Sequence, residues 1–228
     1  INRWTVTAAA HAVQEGVTPP ADTLTPHDLT VTMQQYGCLY MYTDKVAAMY
    51  EDDIPAEMKQ QTGERMGLVR EMIRYGSMKA ATNVLYSGGT TRATVDQAIS
   101  LNNLRNMAKT LLANHGKMKN KILAPGPNYD TSAIEAGFIV FCHTDCEPDI
   151  RDLPGFVPVA KYGSRSMLNE NEIGSVERFR FIVSPELAPY TSAGATASGT
   201  GLVTSSTNVD VYPHIVVCED AVFDVALK

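Results

Sequence analysis

The residues best suited to chemistry fall in one short stretch, Cys142-His143-Thr144-Asp145-Cys146. Two thiolates around an imidazole could serve as a zinc knuckle, and a cysteine beside a histidine is the pairing of a thiol enzyme. His214 and Cys218 are the distant additions to such a set. A structural zinc site, however, pairs one Cys-x₂₋₄-Cys knuckle with a second. The remaining cysteine, Cys38, supplies none, and the spacing of the four matches no disulfide framework. Reduced, buried thiols are therefore expected. Ser166 and Ser184 are the hydroxyl candidates, and neither has an elbow motif or a base at recognisable spacing. Gly88-Gly89-Thr90-Thr91 has the glycines of a phosphate cradle but lacks the Gly-Lys-Ser/Thr ending and a preceding apolar strand. A strand-ending cysteine and a histidine at a helix entry more often serve as buried filler and polar cap. No catalytic, cofactor or metal site is expected.

The charged clusters have ordinary explanations. Glu147, Asp149 and Asp152 lie near a predicted helix start, where the helix dipole favours carboxylates. Lys117, Lys119 and Lys121 follow a predicted helix end, where cations are favoured; phosphates or an acidic neighbouring subunit are the other partners they would suit. Tyr36, Tyr40 and Tyr42 share one face of a predicted strand and fit core or interface packing. A chain of 228 well-patterned residues in which the search for a site comes back empty points to a protein whose surfaces are its function.

Composition agrees with a globular chain able to bury a sizeable core, with 44% hydrophobic and 19% charged residues. A net charge of −6 argues against a dedicated nucleic-acid binder. No apolar run reaches the length of a transmembrane helix, and the first residues lack the apolar run of a signal peptide. The chain enters at Ile1 in the middle of a strand-like pattern, as a fragment or processed product would.

The elements that would position these residues are organised around one long helical pattern, 54–86. Asp52, Asp53 and Pro55 form its start, and Met66, Val69, Ile73, Ala80 and Val84 fall on one face. Gly88-Gly89 would stop it. At 1.5 Å per residue this helix would run roughly 50 Å. It carries Gly63, Gly67 and Gly76, each costing up to about 1 kcal/mol relative to alanine. Ahead of it, residues 1–50 read as extended. The alternating Arg3–Thr7 and Leu29–Met33 flank a polar loop with turn chemistry at Glu15-Gly16 and Pro19-Pro20, and 36–42 continues as strand. Such a projecting hairpin needs neighbours to stabilise it.

After the long helix, Thr94-x-x-Gln97 is a capping box for a second helix over 95–114, ended by His115-Gly116. Its stripe is Ala98, Leu101, Leu104, Ala108 and Leu111. The run 137–142, GFIVFC, reads as a strand buried on both faces. A short helix follows, capped by Thr144 or Asp145, with Pro148 in its first turn. The alternation over 177–183 is a further strand, 184–210 a polar surface loop or flap, and 212–223 a last buried strand and turn. Strands mixed with few helices and no βαβ rhythm give α+β.

Several stretches together resemble one family. They are Glu15-Gly16-Val17-Thr18-Pro19, Gln35-Tyr36-Gly37 with Thr43-Asp44-Lys45, and the run from Thr82 to Gly89. Further on come Phe141-Cys142-His143 with Asp149-Ile150-Arg151, Glu172-Ile173-Gly174 with Arg180-Phe181-Ile182-Val183, and Val211-Tyr212-Pro213. In this order and spacing the chain resembles the major capsid proteins of N-four-like tailed phages and related prophages, over nearly its whole length. One departure is Thr144, where the motif usually has proline after the strand-ending histidine.

The resemblance implies the Hong Kong-type capsid fold. Residues 1–42 would be the extended E-loop hairpin, 43–117 the P-domain with its spine helix at 54–86, and 118–228 mostly the axial A-domain. It also implies an N-terminal arm ahead of Ile1 and further chain beyond the last residues. The implied function is a coat subunit that self-assembles into pentamers and hexamers of an icosahedral shell enclosing double-stranded DNA, met without sequence preference. Portal, scaffold and decoration proteins would be further partners. No membrane and no cofactor are implied, and the protein would be made in the bacterial host's cytoplasm and reside in the virion. By position, the expected contacts are Trp4, Val17 and Leu29 on the hairpin and Gly63, Met66, Gly67, Ile73 and Lys79 on the helix. The rival expectations are an encapsulin-like shell and, in a different class, a thiol or metal enzyme using Cys142, His143 and Cys146.

Overall fold

A computed structural model of the chain describes residues 2–4, 14–18, 21, 26–28, 30–119, 136–162, 167–197, 201–219, 221–222 and 224. The chain divides into two compact units, Ile1–Thr62 and Gly63–Lys228.

In the first unit, β1 (Asn2–Trp4) pairs antiparallel with β2 (Pro26–Asp28), placing Trp4 opposite Pro26 and Asn2 opposite Asp28. The expected turn is present at Gly16, which takes φ 83° while the Val17 N–H donates to the Gln14 carbonyl. Two expectations fail beyond it. Residues 30–43 lie in no helix, strand or bridge, so 30–33 and 36–42 are not strand. Alternation supplies a face but not a hydrogen-bonding partner, and no described segment of the chain pairs with this one. The reading of 1–50 as wholly extended also misses a helix, α1 (Asp44–Met49). Its lysine, alanines and methionine are good helix formers, and Asp44 adds negative charge to the first turn.

The long helix, α2, runs Ile54–Lys79, about 39 Å. It starts as its sequence dictates, with the Asp53 carboxylate accepting the Ala56 N–H at 3.3 Å and Pro55 in the first turn. Its end is a correction, because it stops at Lys79 and not at 86. Thr82, Asn83 and Val84 are weak helix formers, and the last turn is tied elsewhere, with Tyr75 Oη and Lys79 Nζ both donating to the Ala188 carbonyl at 2.8 and 3.1 Å. The helix buries only Tyr75.

In the second unit, α3 spans Leu101–Ala113, later than the 95–114 expected. The Thr94-x-x-Gln97 box does not start it. Val95 is buried and its carbonyl accepts the Ala195 N–H at 2.9 Å, which holds the backbone extended there. Ser100 caps the helix instead, its Oγ accepting from the Asn103 N–H at 3.3 Å. The stop is as expected. His115 takes φ 56° and the Gly116 N–H closes on the Leu111 carbonyl at 2.8 Å. Leu104 is buried, and Leu101, Met107, Ala108 and Leu111 pack on the core.

That core belongs to a mixed five-stranded sheet. Its order is β4 (Val157–Pro158), β5 (Glu172–Val176), β6 (Phe179–Ser184), β3 (Phe138–His143) and β7 (Ile215–Val217). β3 and β6 run parallel at the centre, and the other pairs are antiparallel. Phe138, Ile139 and Val140 are buried, as expected for a strand covered on both faces, and on β6 the expected Phe179 and Phe181 are joined in burial by Arg180 and Ile182 of the opposite face. At Gly174 a Cβ would stand 2.5 Å from both the Phe156 ring and the Val157 carbonyl, so β4 can approach β5 only past a glycine. The architecture is α+β.

Two local corrections remain. The turn after β3 is capped by His143, whose Nδ1 accepts the Asp145 N–H at 3.1 Å, and not by Thr144 or Asp145. It leads into α4 (Glu147–Arg151), with Pro148 in the first turn. The polar stretch after β6 is no open flap. Leu187, Gly194, Val209 and Asp210 are buried, and bridges join Tyr190 to Val211 and Thr196 to Asn208.

Candidate assembly surface

Cys142 and Cys146 are both buried. Burial pushes both thiols up to about 12. The neighbouring Cys146 and Glu147 add to this for Cys142, and Asp149 and Asp145 for Cys146. A thiol that stays protonated is a poor nucleophile. Cys142 Sγ instead donates to the Ile182 carbonyl at 3.6 Å. The His143 Nδ1 that takes the Asp145 N–H also lies 3.3 Å from the Asp145 carboxylate, and its ring lies against Tyr212 with centroids 5.3 Å apart. Tyr212 in turn donates to the Asp145 carboxylate at 2.7 Å. His214 Nδ1 is buried with no hydrogen-bond partner among the described residues, and burial lowers the His214 pKa to about 4. Cys218 packs against the core. Among the described residues no group of histidines, cysteines and carboxylates is placed to hold a metal ion.

The other candidates resolve locally. Ser184 Oγ accepts the Glu186 N–H at 3.4 Å, whereas Ser166 lies outside the described residues. Glu147 pairs with Arg151, Nη2 to Oε1 2.6 Å. The backbone of Lys119 pairs with Gly137 and the Lys117 carbonyl accepts from Glu219, while Lys121 is outside the described residues.

Unburied apolar side chains are the larger feature. In the first unit, the arm from Thr30 to Tyr50 exposes Val31, Met33, Tyr36, Leu39, Tyr40, Met41, Tyr42, Val46, Met49 and Tyr50, with Leu39 at 80% and Met41 at 81%. Tyr40 and Tyr42 also form one wall of a groove of about 370 Å³ completed by Pro55, Met58, Lys59 and Thr62 at the start of α2. Isolated exposed apolar residues are ordinary, but a contiguous run of this kind marks a surface made for contact. Tyr36, Tyr40 and Tyr42, expected on one face of a strand and suited to core or interface packing, are exposed here and lie in no strand. The run's signal was present in the apolar density of 36–42.

On α2 the face that carries Met66 and Ile73 is open, with Met66 67% and Ile73 41% exposed and Leu68 and Met72 exposed as well. Gly63 and Gly67 share that side, at spacings of three, four and seven residues, and a Cβ at either would meet nothing within 4 Å. The structure thus brings Gly63, Met66, Gly67 and Ile73 together on one open face. Val17 stands exposed at the hairpin turn. Trp4 lies in β1, and Leu29 falls outside the described residues. Lys79 is directed inward. Its Nζ lies 3.6 Å from the centroid of the Tyr190 ring, and burial, then the nearby Arg92 charge, lowers its pKa.

No protein-family model matches the chain. It is similar to the major capsid protein of Pseudomonas phage KPP21, 20% identical over 205 residues, a match covering 83% of this chain and 51% of that protein. The chain therefore spans about half the length of this curated relative. The α+β architecture and the open apolar surfaces are consistent with a capsid protein. No helix of the described residues is long and apolar enough to cross a membrane.

Proposed function

We propose that this chain is the shell-forming subunit of a tailed bacteriophage or prophage, built on the Hong Kong-type capsid fold. In this reading 1–42 is the E-loop hairpin, 43–117 the P-domain with α2 as spine helix, and 118–228 mostly the A-domain. The observation that carries it is the coincidence of two surfaces on a chain similar to a phage major capsid protein. One is the exposed apolar arm, and the other is the open glycine-bearing face of α2. Each is what the other lacks, and a second copy supplies both. Subunits associate as pentamers and hexamers, with the hairpin of one lying across α2 of the next at Trp4, Val17, Leu29, Gly63, Met66, Gly67 and Ile73, while Lys79, expected among these contacts, is engaged within its own chain. Portal and scaffold or decoration proteins join the shell, and packaged double-stranded DNA is met without sequence preference. The subunit is made in the bacterial host and ends in the virion.

Sedimentation and electron microscopy of the full-length protein test this. Closed shells or ring-shaped oligomers are expected, and a strictly monomeric species under every assembly condition overturns the reading.

A further inference from the structure

The C-terminal end of α2 is gathered onto a single tyrosine. Lys79 Nζ lies 3.6 Å and Arg92 Cζ 3.7 Å from the centroid of the Tyr190 ring, both within the range at which the π face attracts a cation. Tyr190 is fixed by two backbone hydrogen bonds with Val211, at 2.9 and 3.0 Å. The two ends of the connection 80–91 are therefore held together on one ring, despite the repulsion between the cations.

That connection begins where α2 stops without a breaker. There is no proline or glycine between Lys79 and Gly88. No residue from Ala80 to Tyr86 takes the positive φ of a helix cap. Residues 80–85 are exposed, Val84 and Leu85 with large apolar side chains, and the Ala81 N–H closes on the Met78 carbonyl in a single tight turn. Ala80 and Val84 continue the spacing of Met66 and Ile73, so the segment carries a helical pattern it does not use.

We propose that the Lys79–Tyr190–Arg92 stack is a conformational latch that selects the short form of α2. Release of either cation from the ring lets the helix lengthen through 80–86. Seven more helical residues carry the chain about 10 Å along the axis. With Arg92 held beside Lys79, 87–91 must stretch back over that distance, which favours turning the chain early. With Arg92 free, what still anchors the return is Ser87, whose Oγ donates to the Ala98 carbonyl at 2.8 Å and accepts from Asn103 Nδ2 at 2.9 Å, two bonds that lengthening must break. The lengthened helix adds Ala80 and Val84 to the open apolar face, so the latch sets how much of that face exists. This is a property of the single chain and does not depend on shell formation.

Hydrogen exchange read by mass spectrometry on the whole chain tests it, with Lys79→Met, Arg92→Met and Tyr190→Leu. Amides of 82–86 exchange freely in the wild-type protein and slow about tenfold or more in each variant. Thr82→Ala combined with Asn83→Ala raises helix propensity while the latch stays intact, and leaves 82–86 unprotected. Should Tyr190→Leu unfold the protein, the two cation variants decide. Unchanged exchange over 82–86 in both, or protection of 82–86 in the alanine pair, overturns the latch.

Discussion

Arg105 on α3 grips the carboxylate of Glu177 with Nε at 2.9 Å and Nη2 at 2.5 Å, and Glu177 sits at φ 50° in the turn between β5 and β6. A non-glycine residue in the left-handed region is uncommon. Here its side chain is what ties the hairpin turn to the helix.

Replacing Glu177 therefore separates two effects. Glu177→Gly loses the ion pair but relieves about 1 kcal/mol of backbone strain, so its thermal midpoint should match or exceed wild type. Glu177→Val loses the pair and worsens the backbone, and should melt clearly lower. Arg105→Ala, which leaves the backbone as it is, should lie between them in a thermal melt.

The buried Glu172 is surrounded by donors: Arg180 Nε at 2.8 Å, Tyr162 Oη at 2.7 Å and the Leu168 N–H at 2.6 Å. Burial, foremost, raises the Tyr162 pKa. Arg180→Met leaves the carboxylate unpaired and should cost about 3–5 kcal/mol in urea denaturation. Adding Glu172→Met should return much of that loss, because the uncompensated charge is gone. Tyr162→Phe should cost about 1–3 kcal/mol.

His214 predicts an acid limb in stability. Its folded pKa of about 4 lies below the ordinary 6.5, because burial disfavours the charged ring. The unfolded chain therefore binds the proton first. The contribution is fully present above pH 6.5 and is lost as pH falls towards 4, reaching about 3 kcal/mol. His214→Phe should flatten denaturation midpoints across that window relative to wild type.

At Gly63 and Gly67 folding and association should part company. A Cβ meets nothing at either position, so alanine should stabilise the isolated subunit by about 0.5–1 kcal/mol through helix propensity. A bulky residue such as Gly67→Trp should leave the melt nearly unchanged while reducing self-association in sedimentation. Equal damage to both measurements would make α2 an ordinary core helix.

In the arm, Leu39→Asp together with Met41→Asp should not lower the melting midpoint, because both side chains are exposed. The pair should lower self-association of the full-length protein.

What the sequence disclosed follows from the range of the forces involved. β3 was legible because a doubly buried strand must be apolar throughout, and β6 because Phe179, Phe181 and Val183 alternate along it. The starts of α2 and α4 and the end of α3 were legible from Pro55, Pro148 and Gly116, whose effects are local. The start of α3 was not, because Val95 is recruited by Ala195, a hundred positions away. The end of α2 was hidden likewise, since Tyr75 and Lys79 bond to Ala188 more than a hundred positions on. Helical spacing identified Met66 and Ile73 as one face but carried no sign of whether that face turns inward. The arm at 36–42 was misread because a run of apolar residues looks the same whether its partner lies in the chain or outside it.

The sheet order has a consequence for how the chain reaches this state. β5 and β6 can pair as soon as both exist, but β3 is flanked by β6, some forty residues later, and by β7, nearly eighty residues later. During synthesis, the most apolar strand of this sheet emerges before the sheet's other strands and must wait for both neighbours. Closing such distant pairs is slow. Until Ile215–Val217 have been made, β3 carries a bare apolar edge. The nascent subunit is therefore most vulnerable to aggregation in the interval between β6 and β7, and a chain truncated before residue 215 should accumulate as insoluble protein.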